Sequence, residues 1–323
     1  MFAIRASGDR GHTQTPWLNS RHTFSFGSYY DPRYLGFSDL RVINDDVVAP
    51  AEGFGTHPHK NMEIVTVVLD GELEHRDSMG SRGVIKAGEI QKMSAGSGIT
   101  HSEMNPSLSK PVHFLQIWIE PNIDDVKPEY MQAAPSPQEL KSRLVRIASP
   151  KSTDSPITLH QNAEIYQTLL EQDKTVSFDI TPAHKVWIHV ATGAVSLDGH
   201  PLIAGDGVAV ADETAEIRLR GIDPLSNVLI FKLRALKRGA VSRTPSSYRP
   251  SSQHQSVRTG TLAFQPAFRP LPKAPALTPA SPVSQQFLRH SRQFPVSLRP
   301  RTSPAIRRNK LSDGCIPGRL PAP

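Results

Sequence analysis

Glu63-Ile64-Val65-Thr66-Val67-Val68-Leu69-Asp70-Gly71-Glu72-Leu73-Glu74-His75-Arg76-Asp77 is the stretch whose reading decides the fold. Residues 63–69 are rich in β-branched side chains and too short for a typical helix, so they read as a buried strand. Residues 72–77 alternate, and Asp70-Gly71 between the two runs predicts a tight hairpin turn. Working outward, Gly88 and the cluster Ala95-Gly96-Ser97-Gly98 punctuate further strands, and His113 to Glu120 alternates until Pro121 stops it. Residues 121–142 break the pattern with several prolines and a short helical signal near Gln138 to Arg143. Strands return with Lys185 to Val190, Ala194 to Leu197, a second Asp-Gly turn at Asp198-Gly199, and a last run from Asn227 to Leu233. The halves echo each other, most clearly where Lys86-Ala87-Gly88-Glu89 matches Ile203-Ala204-Gly205-Asp206. Short strands repeated twice, without long helical periodicity, predict an all-β chain of two small barrels from a duplicated unit.

The charge is uneven. Residues 1–237 balance to −6, whereas residues 238–323 balance to +13 with Asp313 as their single acid. The basic surplus therefore belongs to the last segment, and the acidic core is not expected to bind nucleic acid directly. That segment is rich in Pro, Ser, Arg and Gln, and is read as a disordered tail because it offers little apolar surface against chain entropy. The competing reading is a basic tail that binds anionic surfaces or nucleic acid. Cys315 is the single cysteine, which suits a reducing compartment. The segment Met1 to Asp9 lacks the apolar stretch of a secretory signal, and no apolar run reaches the length of a membrane span. A soluble, cytoplasmic protein without membrane attachment is expected.

Two pairs carry the chemistry: His57 and His59 in Gly55-Thr56-His57-Pro58-His59, and His101 and Glu103 in Thr100-His101-Ser102-Glu103. Spacing i, i+2 places both members of a pair on one face of an extended strand. Pro58 holds His57 extended. Three imidazoles and one carboxylate make a donor set for a divalent transition metal, with coordination positions left for substrate or dioxygen. The bland alternative is a surface turn plus a satisfied buried pair. A closed structural zinc site is disfavoured because it usually takes several cysteines.

The pattern resembles the two cupin motifs: Gly53, His57, His59, Glu63 and Gly71, then Gly88, Gly96, His101 and Asn105. Gly71 lies one place later than usual, and Ser94 stands where many cupins have proline. In many cupins the residue corresponding to Glu63 is a ligand; here Glu103 competes for that role. A wider set is similar to the pirin family: Arg21-His22-Thr23-Phe24-Ser25-Phe26-Gly27, Leu40 to Asp46, Gly55 to Ile64, Glu74-His75-Arg76-Asp77-Ser78, Gly96 to Glu103, and Gln116-Ile117-Trp118. The resemblance covers roughly residues 1–235 and implies a bicupin of two double-stranded β-helix (jelly-roll) barrels. It divides the chain into a metal-binding barrel over 1–121, a degenerate barrel over 122–237 and the tail over 238–323. It also implies one metal held by His57, His59, His101 and Glu103, with Fe(II) the first choice and Mn, Co, Ni, Cu or Zn as alternatives. The second half agrees, since it has His184 and His189 but no His-x-His pair.

The resemblance further implies a quercetin 2,3-dioxygenase type of oxidoreductase. Its partners would be O2 and a flavonol-like small molecule, with Glu103 as ligand and candidate base. The alternative is a non-catalytic, iron-dependent redox sensor that binds transcription factors or metabolic enzymes as a regulatory partner. Glu63 is expected beside the site, His75 on a polar face, and His22 and His113 as structural histidines. Phe24, Phe26, Phe114, Trp118 and Trp187 are expected in the core, with a pocket mouth the second reading for Phe24 and Phe26. Removal of residues 240–323 is expected to leave metal content and thermal midpoint nearly unchanged, measured by elemental analysis and calorimetry; a large fall in either would show that the tail packs on the barrels.

Overall fold

Every strand of a two-layer β protein must satisfy two environments, because successive side chains point to opposite faces. Residues 2–211 and 215–235 are described by the structure, a computed structural model; the tail read over 238–323 lies outside them. The strands form two seven-stranded sheets and two four-stranded sheets. The first large sheet runs Glu129–Ala133, Ile90–Ser94, Glu63–Asp70, Val112–Ile119, Leu40–Val48, Leu18–His22, Gly11–Gln14. It is completed into a barrel by Gly53–His59, Ile99–Met104, Glu72–Asp77 and Arg82–Lys86. The second large sheet runs Phe2–Arg5, Gly207–Val210, His184–Thr192, Leu225–Arg234, Glu164–Glu171, Val145–Ser149, Ile157–Thr158. Its smaller companion runs Thr175–Ile180, Ala215–Gly221, Ala194–Leu197, His200–Ile203. The chain is mostly β, with two barrels that each pair a seven-stranded sheet with a four-stranded one.

Alternation explains how the barrels join. In Val112–Ile119, Leu115, Ile117 and Ile119 share one buried cluster with Trp187, Leu229, Phe231 and Leu233 of the second barrel. The intervening Val112 and Phe114 face the interior of the first barrel, packed with Leu73 and Ile85. In Leu225–Arg234 the even positions Val228 and Ile230 turn instead into the second barrel, beside Val186, Ile188 and Val190. Burying a Leu, Ile or Phe side chain stabilises by roughly 1.5–3 kcal/mol, so the seam between the large sheets is a main source of stability.

Two strands cross the division drawn at residue 121. Phe2–Arg5 pairs with Gly207–Val210 of the second barrel, and Glu129–Ala133 pairs with Ile90–Ser94 of the first. Arg5, 2 % exposed, ties the exchanged strand back: its guanidinium donates to the Thr23 carbonyl and lies 3.7 Å above the Tyr34 ring.

The repeated turns match in detail. Gly88 and Gly205 have φ of +85° and +86°, and the following acids accept from Lys86 N and Ile203 N at 3.0 and 2.9 Å. At Asp198-Gly199 both φ angles are positive, and the turn closes the hairpin between Ala194–Leu197 and His200–Ile203. At Asp70-Gly71 the hairpin expectation fails. Glu63–Asp70 pairs with Val112–Ile119 and Ile90–Ser94, whereas Glu72–Asp77 pairs with Ile99–Met104 and Arg82–Lys86. Gly71, at φ +79°, turns a corner between sheets, and a Cβ there would meet the Pro111 carbonyl at 2.8 Å. The helical signal becomes one turn, Pro137–Leu140, capped by Ser136 with a reciprocal bond from Glu139.

The seam carries charge at its edge. Arg10 Nη1 pairs with Asp45 Oδ2 at 3.0 Å, and His113 Nε2 lies 2.6 Å from Asp45 Oδ1. Burial alone would raise the Asp45 carboxyl, but the His113 bond and the Arg10 charge outweigh it and hold it at about 2, below the usual 3.8. A depressed folded-state pKa gives stability that is present above pH 3.8 and lost as pH falls through 2. Asp45→Asn should therefore lower unfolding free energy by about 2 kcal/mol at pH 6, with the difference shrinking toward zero near pH 2, as denaturant melts across pH would show.

Candidate metal centre

The two strands that carry the paired donors lie side by side in the small sheet of the first barrel. His101 is registered opposite His57, Thr100 opposite Pro58, and Ile99 opposite His59. A bulge between His101 and Glu103 shifts the register there, a device that re-aims side chains beside sites. The three rings converge, with centroids 4.4 Å apart for His57 and His101, 4.8 Å for His57 and His59, and 4.9 Å for His59 and His101. One nitrogen from each of these rings lies within 4.8 Å of the others; His75, His101 and Glu103 make a second such trio. Among the described residues these are the groupings able to hold an ion, and both sit in the first barrel.

Two of the three imidazoles, His59 and His101, are held as neutral donors. Burial, then the His57 charge, pushes His59 down to about 4. Burial, then the charges of His57, His59 and His75, pushes His101 to about 2. His57 Nδ1 lies 2.8 Å from the Gly55 carbonyl, an acceptor that requires the hydrogen on Nδ1 and leaves Nε2 with its lone pair. His101 Nε2 is buried without a hydrogen-bond partner, an arrangement that costs free energy unless something electrophilic occupies it. Three converging imidazoles, one of them with an orphaned buried nitrogen, fit a divalent transition metal.

Glu103 lies on the same strand, 1 % exposed. Gln116 Nε2 donates to its Oε2 at 2.6 Å and Gln91 Nε2 to its Oε1 at 3.1 Å. The Thr66 hydroxyl donates to Gln116 Oε1 at 2.8 Å and holds that amide in its orientation. Burial raises the carboxyl to about 7 despite these bonds, and the neighbouring Asp46 adds to the rise. Glu63 shares the parity of Val65 and Val67, which pack in the seam. Its Oε2 accepts from His160 N at 3.1 Å and lies 3.9 Å from Lys92 Nζ, so it serves the junction between barrels.

Some residues stand where the sequence reading did not put them. His75 was expected on a polar face; it is fully buried, 5.3 Å from the His101 ring and stacked 4.7 Å from Tyr130. Its surroundings come from Glu129–Ala133, a strand contributed from beyond residue 121, which short-range patterning cannot foresee. Trp118 was expected as core, and Phe26 as core with a pocket mouth as second reading; both border a cavity of about 200 Å³ together with His57, His59 and Glu103. Trp118 meets His59 edge-on at 5.0 Å and Phe26 at 5.4 Å. Phe24, Phe114 and Trp187 are buried core. His22 bonds Asn44 and Thr13 at 2.8 Å each and also lines the cavity. His113 bonds Asp45 in the seam.

In the second barrel the corresponding strand pair, Thr175–Ile180 with Ala215–Gly221, sets Val176 opposite Leu219 and Phe178 opposite Ile217. Apolar packing fills the volume that imidazoles occupy in the first barrel.

Residues 4–119 match the family model described as Pirin, and residues 146–233 match that of the quercetinase C-terminal cupin domain. A protein of Escherichia coli K12 named quercetin 2,3-dioxygenase is 45 % identical over 233 residues, spanning 72 % of this chain and 99 % of that one. The crystal structure of the bacterial pirin YhhW of Escherichia coli in complex with nickel(II) superposes with a TM-score of 0.69 at 43 % identity, covering 73 % of this chain and all of that one. The structure of YhaK from the same species aligns at TM-score 0.55 and 30 % identity over 66 % of this chain and 92 % of its own. No helix among the described residues is long and apolar enough to cross a membrane.

Binding to the folded state alone stabilises it by about 2.7 kcal/mol at a hundredfold excess over Kd. A divalent ion such as Ni(II) should therefore raise the thermal midpoint of the wild-type protein by several degrees, and His59→Ala should lose most of that rise in the same calorimetric titration.

Proposed function

The chain belongs to the pirin family, and on that premise we propose that it is a metal-dependent dioxygenase of the quercetin 2,3-dioxygenase type. The observation that carries the reading is the convergence of His57, His59 and His101 beside a cavity that His57, His59, Glu103 and an aromatic wall line. The ligands are His57, His59, His101 and Glu103, and the ion is Fe(II), with imidazole and carboxylate equally able to hold manganese, cobalt or nickel. The bound metal supplies a redox-active Lewis acid beside which O2 and the substrate can react. The net change adds both atoms of O2 to the flavonol, opens its central ring and releases carbon monoxide.

The protein's own part is positioning and proton handling. Phe26, Phe54 and Trp118 offer flat apolar surface to a planar polyphenol. The Glu103 carboxylate, beside the cavity, takes the proton of the substrate's 3-hydroxyl. Gln91, Gln116 and Thr66 keep that carboxylate from rotating. The metal-holding barrel is assigned to 1–121 and the second barrel to 122–237, with the two exchanged strands bracing the pair.

Metal-loaded protein in air should bleach flavonol absorbance and release carbon monoxide. Glu103→Gln should cut the rate by at least a hundredfold and reduce bound metal, while Glu63→Gln should keep both. Turnover that survives His59→Ala, or no turnover by any metal form, would sink the enzymatic reading and favour a redox-regulatory protein.

A further inference from the structure

His75 and Asp77 lie outside the ligand set His57, His59, His101 and Glu103, yet both side chains are fully buried, and the His75 ring lies 5.3 Å from that of His101. Strand register places Asp77 opposite His101 and His75 opposite Glu103. His75 Nε2 lies 3.2 Å from Asp77 Oδ2, and His75 Nδ1 lies 3.5 Å from His101 Nδ1. Asp77 is itself fixed, since its Oδ1 accepts the backbone N–H of Met79 and of Ser81, each at 2.9 Å. Tyr130 stacks on the outer face of the His75 ring with an interplanar angle of 26°.

We propose that Asp77 and His75 form a positioning relay that dictates which nitrogen of His101 carries its hydrogen, and so keeps His101 Nε2 free to bind the metal. Each step follows from donor and acceptor chemistry. A carboxylate only accepts, so the hydrogen of His75 sits on Nε2 and points to Asp77. His75 Nδ1 is then an acceptor. The facing His101 Nδ1 must carry the hydrogen that it receives, which leaves His101 Nε2 with its lone pair. That nitrogen is the one left buried without a partner. The same polarity holds at His57, where the Gly55 carbonyl plays the part that His75 plays for His101. Groups behind a metal-binding histidine commonly change metal affinity 10–100-fold when removed.

The inference rests on His101 being a metal ligand, but its first readout is made without metal or substrate, so failure of the dioxygenase reading would leave that result standing on its own. The discriminating variant is Asp77→Asn. Its carbonyl oxygen must stay on the Met79 and Ser81 N–H groups, so its NH2 replaces the oxygen facing His75. An NH2 there needs an acceptor, which moves the His75 hydrogen to Nδ1 and in turn the His101 hydrogen to Nε2. Long-range 1H–15N correlation spectra of the metal-free protein should show the hydrogen on Nδ1 of His101 and Nε2 of His75 in the wild type, and both reversed in Asp77→Asn. Chelator competition should show metal affinity reduced about 10–100-fold in Asp77→Asn and in His75→Phe, which keeps the stack on Tyr130. A wild-type His101 with its hydrogen on Nε2 overturns the proposal. So does an Asp77→Asn protein with unchanged rings and affinity, including the case in which His75→Phe alone loses metal. The near-isosteric Asp77→Asn keeps the test open if His75→Phe fails to fold.

Discussion

The seam between the two large sheets is the constraint from which the rest of the molecule follows. Once Leu115, Ile117, Trp187, Leu229 and Phe231 are committed to a shared apolar layer, the alternate residues of the same strands must point into one barrel or the other. That parity puts two carboxylates in different environments. Glu63 falls on the seam side with Val65 and Val67 and bonds His160 N, whereas Glu103, on the opposing sheet, faces inward toward Gln91 and Gln116. No side-chain rotation exchanges the roles, because the barrel wall lies between them.

The same backbone frame holds two different interiors. The second barrel fills its inside with Val186, Ile188, Val190, Ile217, Leu219 and Ile230, and is stabilised by ordinary burial. The first presents Thr66, Gln91, Gln116, His101 and Glu103 at equivalent depth. Buried polar groups cost free energy unless satisfied, and most of these satisfy one another in a connected network. Gln91 Oε1 and His101 Nε2 are left without partners, and the second, set among the converging histidines, marks where the network expects a ligand. The second barrel thus contributes rigidity to the first through the seam and through the exchanged strand Phe2–Arg5.

What could be read from the chain divides along the range of the interactions. The two His and Glu pairs were legible because their geometry is local: i, i+2 on a strand, with Pro58 enforcing extension. The duplicated Ala-Gly-Glu and Ala-Gly-Asp turns were legible for the same reason, and both close with the same side-chain bond to backbone N. Asp70-Gly71 misled because an Asp-Gly step specifies a bend but not which strand the chain pairs with afterward; in a double-stranded β-helix the chain crosses to the facing sheet. His75 and Trp118 were missed because their surroundings come from segments far away in sequence, Tyr130 for the first and the cavity wall for the second. A polar-looking run, Glu74-His75-Arg76-Asp77, gives no local hint that its even and odd members live in different worlds: Arg76 is exposed and His75 is wholly enclosed.

Neighbouring Asp45 and Asp46 show how sharply a single strand separates electrostatic environments. Asp45 points to the seam, where Arg10 and His113 hold it ionised down to about 2. Asp46, one residue on, lines the cavity with Glu103 nearby; burial raises it to about 7, with the Ser20 bond opposing and the Asp45 charge adding to the rise. Both carboxyls of the cavity, Asp46 and Glu103, are thus pushed toward neutrality, and His59 and His101 of the histidine cluster are pushed toward neutrality from the other side. An interior that resists charge of either sign in its side chains is one in which a single divalent cation changes everything at once. It draws the carboxyls toward their ionised forms, keeps the imidazoles as neutral donors, and supplies the partner that His101 Nε2 lacks. The frustration of the first barrel is therefore collective, and one ion at the histidine cluster relieves it.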